Sequence, residues 1–169
     1  MNDANAVLEA FVGGWTFSGI NTMTSGAPVT LTYTPAASFS VSGITQEFRG
    51  ANNYRPNIIG DPYGNTSSIT EYFSKTNVVI PTDPSQVFGN AERNSVSGPW
   101  FWQLDFVASK NFSLPIGPRT SVQIRFEAFN LLNRTNFTAP NGNRSAAGFG
   151  TITSTYDARQ IQLGAKVTF

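Results

Sequence analysis

Cysteine and histidine are both absent from the 169 residues. The first absence excludes disulfides, thiol catalysis and thiolate metal sites. The second removes the commonest general base and the commonest metal ligand, so Ser–His triads and zinc hydrolase sites are excluded as well. Charge is scarce: Asp, Glu, Lys and Arg make up 12% of the chain, against roughly 25% in soluble domains. The net charge of +1 leaves no electrostatic footprint for nucleic acid or for an anionic membrane surface. No run of about 18 apolar residues exists to make a transmembrane helix. Met1-Asn-Asp-Ala4 lacks the basic and apolar regions of a signal peptide, so the chain is expected either not to be exported or to lack its front.

Aromatics are abundant instead, at 13% with 14 Phe, and Asn, Ser, Thr, Gly and Gln keep the mean hydropathy slightly negative. This mixture suits a surface divided between lipid and a wet lumen. It also suits a secreted β-protein.

The end of the chain is the most regular stretch. Ile161, Leu163, Ala165, Val167 and Phe169 share one parity, and Gln160, Gln162, Gly164, Lys166 and Thr168 the other. Side chains alternate along a strand, so residues 159–169 are predicted to be a strand with one apolar and one polar face. A tilted strand needs about 9–11 residues to cross a bilayer, and a terminal Phe fits an interfacial aromatic girdle. Two more strands are predicted at 102–112 and 120–130. Trp102, Leu104, Phe106, Ala108 and Phe112 oppose Gln103, Asp105, Ser109 and Asn111, and Val122, Ile124, Phe126 and Ala128 oppose Gln123, Arg125 and Glu127. Lys110 falls on the apolar face near the strand end, where it can snorkel, and Phe129 is a misfit on the polar face. A fourth, at 15–33, carries Trp15, Phe17 and Met23 on one face. Ser25-Gly-Ala-Pro28 interrupts it, and Val29, Leu31 and Tyr33 resume on the same parity. Before it, residues 5–12 have room for one or two helical turns, ended by Gly13-Gly14.

Residues 34–99 are rich in Pro, Gly, Asn and Ser with little periodicity. So long a connection is unusual in a compact soluble domain and ordinary for an extracellular loop of an outer-membrane barrel. The connection Leu114-Pro-Ile-Gly-Pro-Arg119 is short. Barrels have short periplasmic turns and long outer loops, so 102–112 runs inward and 15–33 must run outward. A hairpin at Ser25–Pro28 would put the long loop on the wrong side, which favours one kinked strand. Trp15, Phe112 and Phe169 are then expected at the periplasmic rim, with Trp100 and Trp102 at the outer rim.

The ordered set Gly13-Gly-Trp-Thr-Phe-Ser-Gly19, Ser25-Gly-Ala-Pro28, Arg55-Pro-Asn-Ile-Ile-Gly60, Gly89-Asn-Ala-Glu-Arg-Asn94, Gly98-Pro99, Leu104-Asp105, Lys110-Asn-Phe112, Glu127-Ala-Phe-Asn-Leu-Leu-Asn133, Phe149-Gly-Thr-Ile152 and the closing strand resembles the carboxy-terminal end of TonB-dependent outer-membrane receptors. The Oar-like subgroup, which carries an amino-terminal carboxypeptidase-regulatory-like domain, is the most similar. The resemblance implies an all-β fold of antiparallel amphipathic strands, the last four of a barrel of about 22 strands closed around a plug. It implies that plug, TonB box and signal peptide lie upstream, and that the chain is a fragment unable to transport by itself. The implied partners are outer-membrane lipid, the amino-terminal barrel and plug, TonB through that plug, and the barrel-assembly machinery, whose signal the last strand resembles. The implied activity is energy-coupled uptake of a siderophore, an oligosaccharide or a similar nutrient.

Asp105, Arg125, Glu127, Gln160, Gln162 and Lys166 are candidates for the lumen. A cross-strand ladder that holds register is the plainer reading of the same residues, with Asp105 beside Arg125 or Glu127 in some registers across the 113–119 turn and not in others. Ile161, Leu163, Val167 and Phe169 are candidates for lipid contact and for the assembly signal. Tyr54, Arg55, Asp61 and Tyr63, with Tyr72 and Phe73, are candidates for ligand capture in the long loop, against self-packing of that loop. Arg159 is placed either near lipopolysaccharide phosphates or simply as a rim charge. No catalytic residue, metal site or cofactor is expected, and the chain is not read as an enzyme. A secreted β-sandwich acting as an adhesin or carbohydrate-binding module is the alternative.

Overall fold

The computed structural model describes residues 11–35, 54–83, 88–115 and 120–169, and the backbone of 38–41 and 44–47. Among the described residues ten strands follow one another: β1 (Trp15–Thr24), β2 (Pro28–Val29), β3 (Ser38–Val41), β4 (Ile44–Glu47), β5 (Asn57–Ile58), β6 (Val78–Val79), β7 (Val96–Ser97), β8 (Phe101–Ser113), β9 (Ser121–Phe129) and β10 (Gln160–Thr168). Phe11 and Val12 are helical, and Gly14 ends that turn at φ 70°, a conformation a side chain disfavours. Residues 5–10, also expected to be helical, lie outside the described residues. The chain divides into two compact units. One lies within Met1–Met23, Trp102–Thr135 and Asp157–Phe169, and the other within Thr24–Phe101 and Asn136–Tyr156.

The first is a sheet unit. Its four strands stand in the order β1-β8-β9-β10. Alternating apolar and uncharged polar residues drive these segments to extend, because only a strand puts successive side chains on opposite faces. β8, β9 and β10 are antiparallel neighbours, with Phe106 opposite Ala128 and Ala128 opposite Ile161. Phe17 stacks on Phe106 at 6.0 Å, and Trp102 Nε1 donates to Asn21 Oδ1 at 2.6 Å, so β1 runs against β8.

The second is a loop unit, and it holds the hydrophobic core. Val29, Leu31, Tyr72, Phe73, Val78, Ala91, Val96, Phe149 and Ile152 are buried together, with Ile58, Tyr63 and Phe137 packed against them. Short ladders tie it: β2 to β7, β3 to β4 and β5 to β6. Aromatic rings meet edge-on, as between Tyr72 and Phe73 at 5.4 Å, the geometry their quadrupoles favour. Arg144 closes it by donating to the carbonyls of Val78 at 2.6 Å and Lys75 at 3.1 Å.

The segment expected as one strand over 15–33 is divided, since β1 stops at Thr24 and Pro28–Val29 pair with Val96–Ser97. The partner of β2 is β7, so the interruption is not a hairpin. Gly26 explains the break: a Cβ there would collide with the Gly98 carbonyl. The stretch 34–99, read as irregular, contributes most of a packed core. Its periodicity is short because each ladder is only two to four residues long.

Candidate functional site

The β8–β9–β10 register sorts the sheet into rows. Ala108–Phe126–Leu163, Lys110–Ile124–Ala165 and Phe112–Val122–Val167 lie on one face. Val107–Glu127–Gln162, Ser109–Arg125–Gly164 and Asn111–Gln123–Lys166 lie on the other. Ala beside Phe and Leu in a row lets large and small side chains alternate across strands. On the apolar face Leu163 is 80% exposed, and Ile161, Val167, Phe169, Phe17 and Met23 are exposed too. A sandwich core covers such residues, and among the described residues nothing covers them. A continuous apolar face of this kind marks contact with another apolar phase.

Lys110 is on the apolar face yet only 5% exposed. Its Nζ donates to the Gly13 carbonyl and lies 5.8 Å from the Trp15 ring centroid and 5.1 Å from that of Phe112. The charge is held at the sheet's end by that carbonyl and two π faces, buried instead of snorkelling out to water. Trp15 and Phe112 thus share one end of the sheet.

The polar face pairs charges locally. Arg125 donates through Nε and Nη2 to Glu127 Oε1, at 2.7 and 2.5 Å. They are two residues apart on one strand and therefore on one face. The pair is half open to solvent, so it is worth about 0–1 kcal/mol. Asp105 joins neither, because of the register. The register puts Ser109 opposite Arg125 and Val107 opposite Glu127. Asp105 Oδ1 instead accepts from Gln103 Nε2 at 2.7 Å and from the Asn130 N–H at 2.9 Å. Gln160 lies opposite Phe129, Gln162 opposite Glu127 and Lys166 opposite Gln123. Arg159 meets the Asn133 side chain through its N–H and the Leu131 carbonyl through Nη1.

Asn130 is the residue that sequence reasoning missed. It is 2% exposed and sits at φ 52°, a left-handed conformation that Asn tolerates. Its Nδ2 donates to the Arg134 carbonyl at 2.9 Å and the Asp157 carbonyl at 3.3 Å, and its Oδ1 accepts from the Arg134 N–H at 3.0 Å. One side chain thereby gathers the exit of β9 and the entry to β10. Asn130→Ala is expected to destabilise the sheet unit by about 1–3 kcal/mol, because buried backbone groups lose their partners. Asn130→Asp should cost at least as much, since it loses both amide donors and sets a buried negative charge against two carbonyl oxygens; urea titration of the three proteins measures the order.

In the loop unit, three of the four capture candidates serve the packing. Tyr54 is buried, with ring centroids 5.9 Å from Tyr33 and 5.2 Å from Phe88. Asp61 Oδ1 accepts from the Tyr63 N–H at 3.0 Å. The Tyr63 hydroxyl accepts from the Ser97 N–H at 2.9 Å. The fourth, Arg55, lines a cavity of about 410 Å³ with Thr30, Thr32 and Arg93. Those three partners carry no sequence signal beyond the parity that puts Thr30 and Thr32 opposite the buried Val29, Leu31 and Tyr33.

Burial raises the phenol pKa of Tyr33 and Tyr72, with smaller contributions from Tyr54 and Tyr63 respectively. A raised folded value means that the neutral form is favoured in the native state. The associated stability is complete below the unfolded phenol value near 10 and is lost as pH rises through the folded one. The loop unit is therefore expected to lose stability as pH rises above about 10, with its urea midpoint falling in near-ultraviolet circular dichroism. A midpoint unchanged between neutral pH and alkali would contradict it.

Among the described residues no helix is long and apolar enough to cross a membrane. An antiparallel sheet with one apolar exposed face and one polar face is a membrane-wall sheet of the barrel class. A family model described as an outer membrane beta barrel domain matches residues 1–162. The chain belongs to that family. Its place is the outer membrane of a Gram-negative bacterium, in association with lipid. Neither the curated proteins nor the solved structures contain a match to it.

Proposed function

We propose that the chain forms a sector of the wall of a TonB-dependent receptor that takes up a scarce nutrient, such as a siderophore or oligosaccharide, by energy-coupled transport. The observation that carries this reading is the loop unit. Connections that only join strands need few residues, whereas Thr24–Phe101 and Asn136–Tyr156 build a core of their own. A rigid loop body on a barrel is the part that reads solutes. The ordered motifs noted above supply the resemblance to this receptor class.

In this reading Ile161, Leu163, Val167 and Phe169 meet lipid, and Asp105, Arg125, Glu127, Gln160, Gln162 and Lys166 face the lumen. The loop unit lies outside the cell. Among the described residues β1 and β10 each have a strand on one side only, and an unpaired edge in hydrocarbon costs several kcal/mol for each backbone group. Further strands must cover both edges, with a plug inside for TonB to engage. The chain binds and helps to pass a solute and catalyses nothing.

The test is uptake by cells that carry the assembled receptor. Accumulation of its nutrient should stop when a protonophore collapses the proton-motive force or when TonB is removed. Uptake that continues unchanged would identify a passive pore and sink the proposal.

A further inference from the structure

We propose that the loop unit carries a binding site for a solute bearing carboxylate or phosphate groups, held between Arg55 and Arg93 in the cavity that Thr30 and Thr32 complete. The inference rests on the loop unit being the solute-reading part of the receptor and names the chemistry it reads.

The backbone beneath each lining residue is fixed. Thr30 Oγ1 donates to Asn94 Oδ1 at 2.9 Å and accepts from the Asn94 N–H at 3.0 Å. That exchange pins residue 94, at φ 57°, and with it the neighbouring Arg93. The Arg55 carbonyl accepts from the Gly89 N–H at 2.8 Å, and the carbonyls of Tyr54 and Pro56 on either side accept from Tyr33 and Ala91. Thr32 donates its N–H to the Gly142 carbonyl at 3.0 Å and accepts from the Arg144 N–H at 2.7 Å. The frame is set before any ligand arrives, which lowers the ordering cost of binding.

The heads of the two arginines are uncommitted. Among the described residues, no carboxylate or carbonyl pairs with the guanidinium of Arg55 or Arg93. Other arginines differ: Arg144 spends its head on two carbonyls, and Arg125 on Glu127. Two like charges on the wall of one cavity repel each other, and an oxyanion between them relieves that repulsion. The planar guanidinium fork matches carboxylate and phosphate oxygens two at a time. The cavity volume falls within the range of about 300–1,000 Å³ that small solutes occupy. A neutral oligosaccharide would leave both charges without a counterion.

Isothermal titration of the whole protein in detergent micelles tests this, with citrate and inorganic phosphate as probes and raffinose as the neutral control. Citrate should bind saturably at one site, and raffinose should give no heat. Arg55→Gln and Arg93→Gln should each weaken citrate about tenfold or more, the loss of a charge-assisted contact. Lys75→Gln, which removes one positive charge elsewhere in the same unit, should leave the affinity unchanged. Binding of phosphate with the same dependence on both arginines supports a phosphorylated solute; binding of citrate alone supports a carboxylate. Near-ultraviolet circular dichroism of the tyrosines checks that each variant keeps the wild-type fold. The proposal is overturned if neither anion binds saturably to the wild-type protein. It is also overturned if the folded arginine variants bind as the wild type does, or if Lys75→Gln weakens binding as much as they do. Energy-independent uptake with citrate binding intact would remove the transport reading and leave this site standing.

Discussion

Leu163→Arg is expected to destabilise the assembled protein by about 2–4 kcal/mol, the cost of an Arg on the lipid face near the bilayer midplane. Leu163 lies in the middle of β10, opposite Phe126, and its side chain is 80% exposed. No neighbouring carboxylate shares that face, since its row is Ala108–Phe126–Leu163. Lys110 has the Gly13 carbonyl and two aromatic rings to hold its charge, but a mid-strand Arg has no such partners and the longest way to water. Gln162→Arg, one residue away on the other face, should change stability by no more than about 0.5 kcal/mol. Its new charge would lie opposite Glu127. Urea titration of the protein in outer-membrane vesicles measures both variants. Equal losses would mean that the two faces see the same solvent, and the division into lipid and lumen would fall with it.

The second large effect belongs to the other unit. Phe73→Ala should cost about 3–5 kcal/mol, the transfer free energy of the ring together with the cavity it leaves. Phe73 is 2% exposed and has ring contacts with Tyr72, Tyr63 and Phe149 at 5.4, 6.0 and 6.0 Å. Its surroundings cannot easily collapse. Gly150, at φ 74°, has its backbone so close that a Cβ there would stand 2.9 Å from the N and O of Phe73, and the Tyr72 N–H donates to the Gly150 carbonyl. Thermal melting followed by the near-ultraviolet signal of the tyrosines should show the loop unit lost at lower temperature. Ile59→Ala, at an exposed position of the same unit, should shift melting little. A Phe73→Ala shift no larger than that of Ile59→Ala would show that this cluster does not hold the unit together.

Three of the four strands of the sheet unit were legible from parity alone, whereas β1 was read as running on to residue 33. Residues 102–112, 120–130 and 159–169 appear as Phe101–Ser113, Ser121–Phe129 and Gln160–Thr168, because alternation over nine or more residues has one good solution. The loop unit was not legible. Its ladders are too short for a period to show, and its core residues, from Leu31 to Ile152, come together only through distant contacts. The odd-parity run Val29, Leu31 and Tyr33 was the one visible sign of it.

The candidate residues divide along the same line. Which side chains share a face of the sheet follows from their spacing, so Arg125 and Glu127 were placed together on the polar face. Which residue they meet on the next strand depends on register, and that is why Asp105 pairs with Asn130 instead. The cavity goes further, joining Thr30 and Thr32 to Arg55 and Arg93, residues that no local pattern connects.

By itself the sequence determined the extended, two-faced character of the closing strand and its neighbours, and excluded thiol and histidine chemistry outright. These follow from residue type and a period of two, which are local properties. The tertiary structure alone decided the register, the anchoring of Lys110 and Asn130, the folding of the long connections into a core, and the placing of Arg55 and Arg93 on one cavity. Each of these depends on groups far apart in the chain, whose approach is settled by packing and hydrogen bonding of the whole fold.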